Sequence, residues 1–181
     1  MNLDLRFFDR EVAEVARDLI GVTLCVGRTG GVIVETEAYR IDDAAAHSFS
    51  GPTSRNKSMF GPPGRAYVYR SYGLHWCLNF VCRSGCAVLI RAVEPHWGIP
   101  LMMERRHTRA TALLCAGPGR LTQALGVNAG HDGMDLFAPP FKLCHGDSQE
   151  VAVGRRIGIS KAVDHPWRFG AKNSPFLSRK F

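Results

Sequence analysis

The sequence predicts one α+β domain over residues 1–181, a curved mixed or antiparallel β-sheet with helices packed around it. Three observations point there. Strand-like, β-branched runs cluster in two blocks, 22–39 and 66–93. Helical spacing of apolar residues is confined to stretches outside those blocks, near 9–20 and 99–125. The chain has 181 residues, 45% of them apolar, which suits one sizeable core.

In chain order, residues 9–20 read as a helix. Asp9 can cap it, Val12, Val15, Ala16, Leu19 and Ile20 fall on one face, and Gly21 is a stop. Residues 22–26 read as a strand, and the five-residue turn 27–31 leads to a second strand at 32–39. Alternation places Val32, Val34, Thr36 and Ala38 on one face and Ile33, Glu35, Glu37 and Tyr39 on the other. Two acids on a strand that begins as a core strand are costly unless paired or used. Alternation does not choose between Glu35 and Glu37, and two solvated acids at a surface strand end are an even alternative.

Residues 40–66 are rich in Gly, Ser and Pro and carry Arg55, Lys57 and Arg65, with His47 and Met59 among them. Such a stretch reads as a flexible basic loop able to contact phosphates or close over a site, or as a plain surface loop. Strands follow at 66–70, 74–81 and 87–93, with Tyr72 at the tip of the turn 71–73. Asn79 and Arg91 interrupt their apolar runs and must find partners. An ion pair of Arg91 with Glu35 or Glu37 meets that need without any catalysis. Three polar breaches in adjacent strands still mark a candidate site. Beyond Pro95, helices are expected at 99–107 and 109–115, with another opened by Gly117-Pro118-Gly119. Residues 128–150 read as loop and 151–159 as a strand.

The net charge of +7 and a pI of about 9.4 favour a polyanionic partner. The six cysteines have no Cys-x-x-Cys spacing and read as reduced core residues. No metal site or cofactor motif is present. There is no P-loop, no Gly-x-Gly-x-x-Gly and no Gly-x-Ser-x-Gly, so phosphoryl transfer and serine hydrolysis lack support. All four tyrosines fall within residues 39–72. Rings gathered near an acid suit a flat ligand that stacks, such as a nucleobase.

The runs Val34-Glu-Thr-Glu-Ala-Tyr39, Ala45-Ala-His47-Ser48, Tyr67-Val-Tyr69, Tyr72-Gly73 and Leu89-Ile-Arg91-Ala-Val-Glu-Pro95 resemble the alkyladenine (3-methyladenine) DNA glycosylase family. So do Asn79, Gly117-Pro118 and Arg156-Ile-Gly158. The likeness extends from about residue 5 to 179. The Tyr39-to-His47 loop is one residue shorter than in the best-known vertebrate members.

The resemblance implies a fold related to the C-terminal domain of methionyl-tRNA formyltransferase. It implies Glu37 as general base, with Arg91 and the main-chain carbonyl of Ile157 holding the attacking water. Tyr39, His47 and Tyr69 would sandwich a flipped base, and Asn79 would face the purine edge. Tyr72 would intercalate, and Arg55, Lys57 and Met59 would contact DNA. The implied partner is double-stranded DNA with damaged purines, met by a monomer without cofactor or metal. The substrates would be 3-methyladenine and 7-methylguanine, with hypoxanthine and ethenoadenine as further candidates. The competing reading is a catalytically inactive nucleic-acid-binding module. With no apolar run near the roughly 20 residues of a membrane span and no leader pattern, the expected location is the cytosol and nucleoid of a bacterium, or the nucleus of a eukaryote.

Overall fold

The computed structural model describes residues 3–181. Its elements run α1 (Leu5–Phe8), α2 (Val12–Asp18), β1 (Thr23–Val26), β2 (Thr29–Tyr39), β3 (Ala66–Ser71), β4 (His75–Val81) and β5 (Ala87–Trp97). Then follow α3 (Ile99–Arg106), α4 (Pro118–Leu125), β6 (Phe141–Cys144), β7 (Val151–Gly154) and β8 (Arg168–Ala171). The strands form one antiparallel sheet in the order β3-β4-β5-β2-β1-β6, with β8 beside β2 and β7 beyond it. The sheet curls into a half-barrel, so the α+β class holds and the sheet is antiparallel.

Strand β2 organises the sheet because it has three partners. Its start pairs with β1 as far as Val32, and its end pairs with β8 from Glu35, while β5 runs along its other edge. The ladder with β5 is irregular where β2 changes partner: Ile33 faces Val93, Glu35 faces Ala92 and Thr36 faces Ile90. Val34 on one strand and Arg91 on the other are therefore extra residues, and the register after them is unchanged. A bulge re-aims side chains. Here two adjacent residues on each strand, Ile33-Val34 and Ala92-Val93, enter the same core. Ile33 thus leaves the face that simple alternation gives it, while Glu35, Glu37 and Tyr39 keep theirs.

The two faces differ in what covers them. One face packs Leu24, Val34, Leu78, Phe80 and Ile90 against Val15, Leu19, Met102, Leu121 and Leu125 of the helices. Thr36 on that face stays polar because its hydroxyl donates to the Ala16 carbonyl of α2 at 2.7 Å. The other face carries a small cluster of Ala46, Met59, Tyr67, Val81 and Ala87 beneath the loop after β2. Burying the apolar side chains of either face contributes roughly 1.5–3 kcal/mol each. No helix among the described residues is long and apolar enough to cross a membrane.

Several boundaries move. The helix expected at 9–20 is the shorter α2, which begins after Glu11; Asp9, expected as its cap, instead ends the separate helix α1 before it. Arg10 closes the break by donating from Nε to the Phe7 carbonyl at 2.9 Å. The expected five-residue hairpin turn shrinks to Gly27-Arg28, because Thr29 already pairs with Val26. Gly30 and Gly31 serve close approach inside the strand rather than a turn. A Cβ on Gly31 would lie 1.9 Å from the Glu94 carbonyl oxygen. Residues 111–113 form one 3-10 turn in place of a helix, and the strand expected over 151–159 stops at Gly154. Strand β6 lies within the stretch 128–150 expected as loop, and β8 lies where the sequence pattern gives no element.

Candidate active site

Glu35 and Glu37 point to the helix-free face from β2, and the bulged Arg91 reaches both from β5. Its Nε donates to Glu35 Oε1 at 3.0 Å and its Nη1 to Glu37 Oε2 at 3.3 Å. Both acids are wholly buried, so the reading of two solvated acids fails. Their surroundings separate them. A carboxylate offers about four acceptor positions. Glu35 has four protein donors: Arg91 Nε, Arg168 Nε at 2.9 Å, and the Ser178 hydroxyl and amide at 2.8 and 2.5 Å.

Glu37 has three donors: the Tyr39 hydroxyl at 2.9 Å, Arg91, and the Ile157 amide at 2.7 Å. One position on Glu37 Oε1 is therefore not taken by protein among the described residues. Burial outweighs these partners and holds the Glu37 carboxyl above its usual 4.5, with the charge of Glu35 adding to the rise. A raised pKa beside one spare acceptor position suits a proton acceptor. The resemblance brings in Ile157 through its carbonyl, whereas the bond to Glu37 is made by its N–H. Tyr39 is pushed well above 10, by burial first and then by Glu37, so its hydroxyl remains a donor.

A recess of about 600 Å³ opens beside this cluster. Glu37 lies just behind its wall, and all three of its partners line it. The sequence-predicted Tyr39, His47, Tyr69, Asn79 and Tyr72 line it too. His47 packs edge-on against Tyr69, ring centroids 4.4 Å apart, and its Nδ1 meets the Tyr67 hydroxyl at 3.0 Å. Lost solvent and then the charge of Arg55 lower the His47 pKa, so the ring is neutral at neutral pH. Buried Asn79 donates its amide to the Tyr67 carbonyl at 3.0 Å, which fixes the end it shows to the recess.

Residues that the sequence reading left unassigned complete the walls. Cys77, read as core, lines the recess opposite Tyr69 in the ladder. Arg156 lies 4.7 Å from the Tyr39 ring centroid and 5.2 Å from that of Trp167, so it braces the Tyr39 ring. It is held by a fully buried double contact to Asp43 and by the Ala38 carbonyl at 3.0 Å. The Arg156-Ile157-Gly158 run was visible in the sequence, but its partner Asp43 was not.

The rim is the β3–β4 turn. Tyr72 is 86% exposed at φ 49°, Gly73 follows at φ 68°, and the Leu74 amide closes the turn on the Ser71 carbonyl at 2.9 Å. A tyrosine with positive φ is uncommon, and here it aims a ring outward with nothing packed on it. Arg55 and Lys57 are exposed, and Arg55 also lines the recess. Met59, expected to contact DNA, is 2% exposed, packs beneath the loop and lines the recess. The loop itself is pinned rather than loose. Buried Asn56 donates to the His47 and Gly51 carbonyls at 2.9 and 3.1 Å, and Ser48 to the Gly85 carbonyl at 2.6 Å. Among the described residues, no three or more His, Cys, Asp or Glu are grouped to hold a metal ion.

Comparison with known proteins agrees with this geometry. The family model for methylpurine-DNA glycosylase matches residues 6–175. The chain is 57% identical to the "Putative 3-methyladenine DNA glycosylase" of Rhizobium meliloti, with 100% of this chain and 98% of that one aligned. It is 56% identical to a protein of the same name from Agrobacterium fabrum, over 97% of this chain and 91% of that one. A third of that name, from Nitrosospira multiformis, is 58% identical over 96% and 92%.

Proposed function

The chain belongs to the methylpurine-DNA glycosylase family, and from that premise we propose that it is a base-excision-repair hydrolase acting on alkylated or deaminated purines flipped out of duplex DNA, with water activated by Glu37. The observation that carries this reading is Glu37 itself, buried, raised in pKa and with one acceptor position unfilled, behind a ring-lined recess with an exposed tyrosine at its rim.

A base inside a duplex must leave the stack before its glycosidic bond can be attacked, at a cost of a few kcal/mol. Tyr72 enters the minor groove and fills the gap, offsetting that cost by stacking on the exposed base step. The flipped purine stacks on Tyr39, with His47 and Tyr69 on its other side, each base–ring contact contributing roughly 1–3 kcal/mol. Asn79 meets the purine edge, where a 2-amino group crowds it, so adenine and hypoxanthine lesions are favoured over 7-methylguanine. Water attacks C1′ as the bond from C1′ to the purine nitrogen breaks. Glu37 takes the water proton and stabilises positive charge on the sugar, while Arg91 and the Ile157 main chain hold the acid and water in line. A cationic alkylpurine leaves as a neutral base. A neutral purine would need a proton from elsewhere.

Among the described residues no lysine lines the recess, so no lysine amine there stands ready to form a Schiff base, and the product is an abasic site in an unbroken strand. The test is incubation with duplexes carrying single defined lesions. Free purine by chromatography, with strand scission appearing only after alkali, supports the reading. Tight lesion binding with no released purine replaces it with the binding-module reading.

A further inference from the structure

We propose that Glu35 and Ser178 form a positioning device that fixes which edge of Arg91 meets Glu37, making the segment after β8 a working part of the site. The inference deepens the reading above and rests on Glu37 being the base. Both acids are wholly buried behind the wall, but all three partners of Glu37 line the recess, whereas of Glu35's partner residues only Arg91 does, which places Glu35 further from substrate. Its Oε1 takes Nε of Arg91, and the Ser178 hydroxyl both donates to Glu35 and accepts Arg91 Nη2 at 3.3 Å. The Nε–Nη2 edge of the guanidinium is thereby occupied, which leaves Nη1 for Glu37. A planar fork held on one edge cannot swing away from what its third nitrogen faces.

Ser178 is itself held in place. Arg168 donates to the Arg179 carbonyl and, at 3.5 Å, to the Lys180 carbonyl, and its guanidinium lies 3.9 Å from the Phe181 ring centroid. Phe181 lies against Gly170, where a Cβ would come within 2.4 Å of the ring. The segment therefore rests on β8 and delivers Ser178 into the buried cluster.

Charge makes the device testable. Glu37 is faced by Arg91 from β5, by Glu35 and Tyr39 from its own strand and by Arg168, its register partner on β8. Cys77 on β4 lies within electrostatic reach, Tyr69 on β3 lines the same recess, and Arg156 lies against Tyr39. Removing the Glu35 charge takes away the anion that raises Glu37 and leaves Arg91 facing Glu37 alone, so Glu37 ionises at lower pH.

The experiment is single-turnover release of purine from one lesion duplex, from pH 5 to 8, with Kd measured in parallel. Glu35→Gln is expected to lower the rate about tenfold and to move the acid limb down by about one pH unit. Ser178→Ala is expected to lower the rate about threefold to tenfold at unchanged Kd, and Ser178→Thr to restore it. If Glu35→Gln does not fold, the Ser178 pair decides, because Ser178 is only half-buried. Wild-type rate and limb in Ser178→Ala would overturn the inference alone. A wild-type protein that releases no purine from any lesion would remove the underlying reading instead.

Discussion

Replacing Glu37 by glutamine keeps the shape of the side chain and removes its charge. The chemical loss is the proton acceptor and the stabilising anion. A positioned general base contributes about 10²–10⁴-fold, and electrostatic stabilisation adds to that. Base release is therefore expected to fall by at least about 10³-fold, on the order of 4 kcal/mol. Lesion-duplex binding, carried by rings and phosphate contacts elsewhere, is expected to stay within about threefold of wild type. Stability also responds. Three donors point at Glu37, and an amide can accept on only one side, so either Ile157 or Arg91 faces an NH₂ group. One unmade bond costs roughly 1–3 kcal/mol, or about 2–12 °C in Tm for a chain of this size.

The pH dependence of that loss has a definite sign. Burial holds the Glu37 carboxyl above 4.5 in the folded protein. Below the unfolded value both states carry the proton. Above it the unfolded chain releases its proton first, so wild-type stability falls as pH rises through the folded value. Glutamine has no such slope. The Tm gap between wild type and Glu37→Gln is expected to narrow from pH 5 to pH 8, in melts monitored by circular dichroism. A release rate reduced less than about tenfold, or a gap that widens with pH, refutes the assignment of Glu37 as a buried base.

Three further outcomes are expected. Tyr72→Ala, at a site 86% exposed, should leave Tm within about 1 °C while weakening lesion-duplex affinity about tenfold; equal affinity by fluorescence anisotropy counts against the wedge. Asp43→Ala strands the buried Arg156 charge and should cost about 3–5 kcal/mol, lowering Tm by roughly 6–20 °C; a loss of under about 1 kcal/mol would show that the pair is solvated. Affinity for undamaged duplex should fall steeply between 50 and 200 mM salt, by about 10³-fold for six or more phosphate contacts, and a flat response would remove the electrostatic account of the +7 charge.

What the sequence reading caught and missed follows from where the local signal lives. The β3, β4 and β5 strands were legible because their apolar alternation is strong, and their pairing puts Tyr67 opposite Asn79 and Tyr69 opposite Cys77. Strand β8 was not legible. It places a buried arginine first and a glycine third, and both serve the segment that packs upon it. Gly30-Gly31 misled for a related reason: glycine marks close approach as well as turns, and only the neighbouring strand reveals which. The loop 40–65 looked loose from composition alone. Its order comes from single buried side chains such as Asn56 and Asp43, whose partners are carbonyls elsewhere in the loop or an arginine over a hundred residues away.

The paired acids show the limit most clearly. Side chains at i and i+2 share a strand face, so Glu35 and Glu37 were bound to be neighbours, while the single arginine that meets both does so from the bulge on β5. The neighbourhood was legible, and the ion-pair alternative was correct as far as it went. The roles diverge through where the donors come from, which no local pattern encodes. Glu35 draws four donors from β5, from β8 and from the segment after β8, three on Oε1 and one on Oε2, so the sheet closes around it away from the recess. Glu37 draws one donor from its own strand, one from β5 and one from the segment after β7, which leaves capacity over. A buried acid held by fewer donors than it can accept remains costly to ionise and free to take a proton. That difference comes from strand order, which sets which edge of β2 each additional donor can approach.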